Sequence, residues 1–208
     1  FRSRLDPVGL IVSAAAVVLL VFTVIESPRH GWTSPRTLTG FAVTAALLTG
    51  FVLWELRRDH PMLDVRVFRN SRFSAASTSV AIAFFGLFGF IFLITQYFQF
   101  VRGYSTLSAG IHTLPFAIAA GVMAPVAARL AIRFGAKVVV TGGLLLMSAG
   151  FWVASNYTAT SGYWGTVILG IVLIAGGLTT TTAPSTDAIL GALPKDKAGV
   201  GSAMNDTT

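Results

Sequence analysis

The chain has 208 residues, of which 54% are hydrophobic and only 11% are Asp, Glu, Lys or Arg, with a formal net charge of +7 and no cysteine. Soluble domains carry charge on about a quarter of their residues, so this composition excludes a water-covered globule. The absence of cysteine excludes disulfides and thiolate chemistry in this stretch. The basic excess falls between apolar stretches, as membrane topology requires, and builds no nucleic-acid groove.

Charge-free runs set the predicted elements. No Asp, Glu, Lys or Arg occurs over 73–101 or over 138–186, runs of 29 and 49 residues. A span needs about 20 apolar residues, so the first run supplies one helix and the second supplies two with a polar reversal between them. In chain order, Asp6 and Pro7 open span one at roughly 8–25. The loop "ESPRHGWTSPRT" follows, with Trp32 suited to the lipid–water interface. Span two covers roughly 38–54, and both of these spans sit near the short limit for crossing. The stretch "ELRRDHPMLDVRVFRNSRF" carries Arg57, Arg58, Arg66, Arg69 and Arg72. There Leu63, Val67 and Phe68 read either as one face of a short interfacial helix or as part of a plain connector.

Span three covers roughly 74–100, with Gly86 and Gly89 spaced for close helix contact. After the turn "VRGYS", span four covers roughly 106–128 and holds Pro115 and Pro125, tolerable in a membrane bundle where neighbours satisfy the freed carbonyls. "RLAIRFGAK" reads as a tight basic loop, and span five covers roughly 138–155. "NYTATSGY" is the uncharged reversal. Span six covers roughly 164–190 and holds Gly170, Gly176, Gly177, Pro184 and Asp187 before "PKDKAG".

The expected fold is therefore all-α: a polytopic membrane protein, with about six transmembrane helices forming part of a bundle. Assigning loops to alternate sides puts twelve Lys and Arg on one side and three on the other, which predicts that both ends of this piece are cytoplasmic. The first residue is Phe, and the ends read as cuts in a longer polypeptide.

Few residues stand out chemically. Asp187 lies inside span six, where a carboxylate costs about 3 kcal/mol on insertion scales and must face protein or a watery cavity. Thr180, Pro184 and Asp187 fall on one helical face. Asp187 reads either as a proton-exchanging group or as a helix-end structural group. Gln96 and Gln99 could line a cavity or tie helices together. His112 reads chiefly as a hydrogen-bonded core histidine. Arg129 and Arg133, one turn apart before Gly135, read as an electrostatic clamp on helix ends or as a topology signal. The chain contains no phosphate-cradling G-x-x-x-x-G-K-[ST] loop, no H-E-x-x-H and no close set of metal ligands, so no cofactor or metal is expected.

Several stretches carry a resemblance: "RLDPVGL", "HPMLDVRVFRNSRF", "QYFQFVRGYSTLSAG" with Leu114–Pro115, "APVAARLAIRFGAK" and "PSTDAILGALPKDKAGVGSAMNDTT". In text, order and spacing the whole chain resembles the major facilitator superfamily, specifically the bacterial 14-helix drug:proton antiporters of actinobacterial type. The resemblance implies a central helix pair at 1–56, a cytoplasmic basic connector at 57–73, and the first four helices of the C-terminal half at 74–208, ending in the loop to the next helix. The remainder of the polypeptide would supply the N-terminal half. The family's loop motif, Gly-x-Leu-x-Asp-Arg-x-Gly, matches here at Leu130, Arg133 and Gly135, but Ala128 replaces its glycine and Ile132 its aspartate.

The implied activity is alternating-access export of hydrophobic or cationic compounds across the bacterial cell membrane, driven by the proton gradient. Membrane lipids are the other expected partners. Asp187 becomes the proton-coupling candidate, with Arg129 beside the loop motif and Gln96, Gln99 and Thr180 as cavity-lining candidates. Gly86, Gly89, Gly170, Gly176, Gly177, Pro115 and Pro184 would serve close helix packing. Two other readings of the residues are a same-fold transporter of a dedicated metabolite or lipid precursor, and a non-transport membrane enzyme or structural subunit.

Overall fold

A computed structural model of the chain describes residues 6–57 and 65–191. Arg2, Arg4, Arg58, Leu63, Lys195, Lys197 and the stretches 4–5, 60–64 and 192–208 used in the resemblance lie outside the described residues. The chain forms two compact units, Phe1–Arg69 and Asn70–Thr208. Among the described residues, six helices are long and apolar enough to cross a membrane, the number the apolar spans predict.

The first unit is a helical hairpin. Helix α1 (Pro7–His30) begins at Asp6, whose carboxylate accepts from the N–H groups of Val8 at 3.1 Å and Gly9 at 3.2 Å. Proline at the first helical position needs no such partner. Gly31 ends α1 with φ +88°, a conformation open to glycine at little cost. Helix α2 (Pro35–Arg57) returns alongside. These helices have 24 and 23 residues, longer than the apolar stretches alone suggested. The reason is physical: hydropathy marks the part that sits in hydrocarbon, whereas the hydrogen-bonded helix continues through "ESPRH" with Pro28 inside it.

The seam between α1 and α2 is built from small and polar groups. Gly9, Ala16, Thr23 and Ser27 are buried on α1, and Thr37, Thr44, Phe51 and Glu55 on α2. The spacing is seven, seven and four on both helices, the periodicity of a left-handed pair. A Cβ at Gly40 would stand 2.5 Å from Thr23 Oγ1, and one at Gly9 would stand 2.8 Å from Glu55 Oε1. Trp54 Nε1 donates to Asp6 Oδ2 at 2.8 Å and closes the base of the hairpin. The larger side chains, among them Ile11, Val18, Phe22 and Ile25, point outward. Such a surface suits lipid and would be an association liability in water. The described part of the basic connector is a single 3₁₀ turn, Val65–Arg69, with no interfacial α-helix in it.

The second unit packs four helices. Asn70 caps α3 (Ser71–Gln96), which runs into a π-helical turn, Tyr97–Val101. Helix α4 (Thr106–Phe134) is capped by Ser105 and passes through Pro115 and Pro125 without ending. Helix α5 (Ala136–Ala154) follows Gly135 directly, and a second π-helical turn, Tyr163–Val167, leads into α6 (Ile168–Gly191). Helix α6 is the centre of this unit. It touches α3, α4 and α5 and is the most deeply buried of the described helices.

The α5–α6 contact depends on four glycines. Gly143 and Gly150 stand seven apart on α5, opposite Gly177 and Gly170, also seven apart on α6. A Cβ at Gly177 would collide with the backbone of Met147 and would lie 2.6 Å from Gly143 O; one at Gly150 would lie 2.8 Å from Ile174 N. The two backbones therefore touch, the kind of approach that drives association where lipid removes the hydrophobic incentive. Gly86 on α3 meets the flexible end of Met147, while nothing lies within 4 Å of a Cβ placed at Gly89. Phe90 joins the helices as an aromatic hub, 6.2 Å from Phe116 and 6.3 Å from Phe151 in an edge-on contact.

Candidate transport site

The second unit has two contrasting ends. The loop-rich end carries residues 97–105 and 155–162; the other carries Gly135. At the loop-rich end a network of long-range hydrogen bonds ties three segments together. Arg102 donates from Nη1 to Ala159 O at 3.0 Å and Ser161 O at 2.7 Å, and from Nη2 to Tyr104 at 3.3 Å. The bond to Tyr104 leads the effects that raise its already high pKa, fixing the cation further. Tyr97 donates to Thr158 O at 2.8 Å and Tyr157 to Val167 O at 2.7 Å. Burial pushes the Tyr157 phenol up to about 12.

His112 completes this end. Its Nδ1 lies 2.7 Å from Ser108 O, so that nitrogen carries the proton and donates. Its ring lies 4.5 Å from that of Tyr104 and 4.6 Å from that of Tyr163, whose hydroxyl donates back to His112 O at 2.8 Å. Gln96 and Gln99 lie half-buried at the border of α3 and its π turn. Sequence reasoning left Arg102 without a role. The only signal was a lone basic residue among tyrosines, and its carbonyl partners lie more than fifty residues away.

At the opposite end, Arg129 and Arg133 sit on the last turns of α4. This corrects the expected basic loop: the helix persists to Phe134, and Gly135 alone, at φ +85°, turns the chain into α5. The Gly135 N–H bonds to Ala131 O at 3.0 Å, a C-terminal helix cap. Both arginines are exposed and pair with no acid among the described residues, Arg133 lying instead 5.4 Å from the Phe134 ring. Ile132, at the family's acid position, is 89% exposed, and Leu130 is half-buried.

Between these ends, α6 separates three residues that share a face in sequence. Thr180 is buried, and so is Pro184, whereas Asp187 is exposed and has no ion-pair partner among the described residues. Gly176 opposes Met123 and Leu146 in ordinary contact, placing its side of α6 between α4 and α5. On α3, Phe85, Phe88 and Phe92 are exposed at steps of three and four, forming one aromatic ridge. That spacing was present in "FFGLFGFIF", where the glycines drew attention instead.

The Major Facilitator Superfamily sequence profile matches residues 8–208. The chain belongs to the major facilitator superfamily. It is 32% identical over 203 residues to the multidrug resistance protein Stp of Mycobacterium tuberculosis, covering 97% of this chain and 37% of that protein. It is 32% identical to the tetracenomycin C resistance and export protein of Streptomyces glaucescens, again covering 97% of this chain and 37% of the relative. With the multidrug efflux pump LfrA of Mycolicibacterium smegmatis it shares 29% identity over 97% of its length and 40% of the pump. The chain thus spans well under half the length of these relatives. As a superfamily member with six helices long and apolar enough to cross a membrane among its described residues, it is a multi-pass membrane protein, related to transporters rather than to enzymes.

Proposed function

We propose that this superfamily chain is part of a proton-driven exporter of hydrophobic or cationic small molecules, working by alternating access in a bacterial cell membrane. The observation that carries this reading is similarity over almost the whole chain to proteins named for drug resistance and export. In this reading residues 1–56 form the central helix pair, 57–73 the connector, and 74–208 the start of the C-terminal half. The lysine and arginine asymmetry supports a cytoplasmic Gly135 end and an outward loop-rich end.

The site residues take corresponding roles. Asp187 is the proton-coupling group, since it is an exposed acid on the helix most deeply packed in its unit. The aromatic ridge of α3 offers apolar, polarisable contact to a hydrophobic cation, and Gln96, Gln99 and Thr180 supply polar lining. Arg129 and Arg133 stabilise one cytoplasmic closure state without the family's acid. The network around Arg102 keeps the loop-rich end rigid while the halves rock.

The test uses the intact protein in proteoliposomes under an inward proton gradient. Efflux of a lipophilic cationic dye is expected, and Asp187→Asn should reduce the gradient-driven part about tenfold or more, in keeping with loss of a proton-transfer group. Unchanged efflux in the mutant removes Asp187 from coupling. Absence of gradient-driven efflux in wild type, across several dyes, favours a dedicated solute over drugs.

A further inference from the structure

Serine and threonine inside helices commonly return the hydroxyl to the carbonyl one turn back. Many here do so. Thr23 donates to Leu19 O, Ser27 to Thr23 O and Thr44 to Gly40 O in the hairpin. On α6 itself, Thr179 donates to Ala175 O and Thr182 to Leu178 O, both at 3.0 Å. Three neighbours on the buried side behave differently. Thr180, Thr181 and Ser185 are 7%, 0% and 1% exposed, and none of their hydroxyl oxygens has a hydrogen-bond partner among the described residues.

The three bracket Pro184, which has no N–H to return to the Thr180 carbonyl. A fourth polar group therefore falls in the same turn and a half. Helix α5 cannot supply the missing partners from its side chains: its buried positions are Val139, Gly143, Met147 and Gly150. Thr181 Oγ1 opposes Gly143, 2.5 Å from where a Cβ would stand. Hydroxyls left unbonded in an apolar interior are costly, so a concentration of them points to a ligand.

We propose that the Pro184 turn of α6 is a buried hydration site, where water bridges the hydroxyls of Thr180, Thr181 and Ser185 and the carbonyl of Thr180. The donor set selects water. Each hydroxyl both gives and accepts, a buried water makes about three such bonds, and burial disfavours a charged ligand. Asp187, the nearest acid in sequence, is exposed and does not complete a cation site.

The sign of a stability change decides the matter, without reference to transport. Thermal unfolding of the intact protein is measured for Thr181→Val and Ser185→Ala, with Thr182→Val as a back-bonded control. A dry, unpaired hydroxyl is shed at no loss, leaving the midpoint unchanged or higher. A water-bonded one is lost at a cost, expected here as a fall of roughly 2–4 °C per variant. Ser185→Ala reads this sign against its own bias, because alanine is the better helix former. The two falls should combine to less than their sum, since the hydroxyls share bridging water. A fall in either variant beyond the control supports the site. Neither falling overturns it, and if Thr181→Val does not fold, the sign for Ser185→Ala decides alone.

Discussion

Tyr157 belongs to the loop between α5 and α6, yet its hydroxyl is directed inward to Val167 O, and a Cβ at Gly170 would collide with it. Burial raises its phenol from 10.0 to about 12. For a group whose folded pKa is raised, the stabilising contribution is complete below the unfolded value and is lost as pH climbs through the folded one. Stability should therefore hold from neutrality to about pH 10 and decline between about 10 and 12. Unfolding midpoints across that range check this, and Tyr157→Phe should lower the neutral midpoint by one lost hydrogen bond, about 1 kcal/mol, while flattening the alkaline decline. A wild-type decline that survives in Tyr157→Phe would assign it to other groups. None of this could be read from "NYTATSGY", because the sequence marks a polar reversal but not which of its side chains is inserted between helices. The same holds for Asp187, whose depth in the span was visible although its exposure depends on which neighbours cover α6.

At the scale of elements, the spans were legible because bilayer physics writes them as long apolar stretches, and the helices fall where those stretches predict. Their ends were not. Helix α1 continues five residues past its apolar stretch, and α4 absorbs the arginines that read as a loop, since helical hydrogen bonding does not stop where hydropathy does. The pairing of glycines was only half legible. Gly170 and Gly177 stood out, but their partners Gly143 and Gly150 act at a sevenfold spacing on another helix, and only the antiparallel crossing matches them. These contacts predict opposite signs for one substitution. Gly177→Ala must separate backbones already in contact and should destabilise by about 1–3 kcal/mol. Gly89→Ala enters open space in α3 and should stabilise by about 0.5–1 kcal/mol through reduced backbone freedom. Unfolding of the two variants in the same detergent gives the comparison, and equal effects would show that α5 and α6 do not cross at glycine.

For the whole molecule, orientation is the property on which the transport reading turns, and the second unit tests it on its own. Its described residues carry Arg72, Arg129, Arg133 and Lys137 toward the Gly135 end, against Arg102 alone at the other. Arg102 is moreover held by two carbonyls, so its charge serves packing more than topology. In the proposed orientation the Gly135 end faces the cytoplasm, as the positive-inside rule predicts. The chain has no cysteine, so introduced thiols can be read without background from this stretch. Thr160 in the α5–α6 loop and Ala136 beside Gly135 are both exposed, at opposite ends of α5. In intact cells Thr160→Cys should react with a membrane-impermeant maleimide, and Ala136→Cys should react only after permeabilisation. The reverse pattern would place the Arg102 network in the cytoplasm and the Arg129–Arg133 pair outside. An inward proton gradient would then reach Asp187 from the wrong side for the export cycle proposed here.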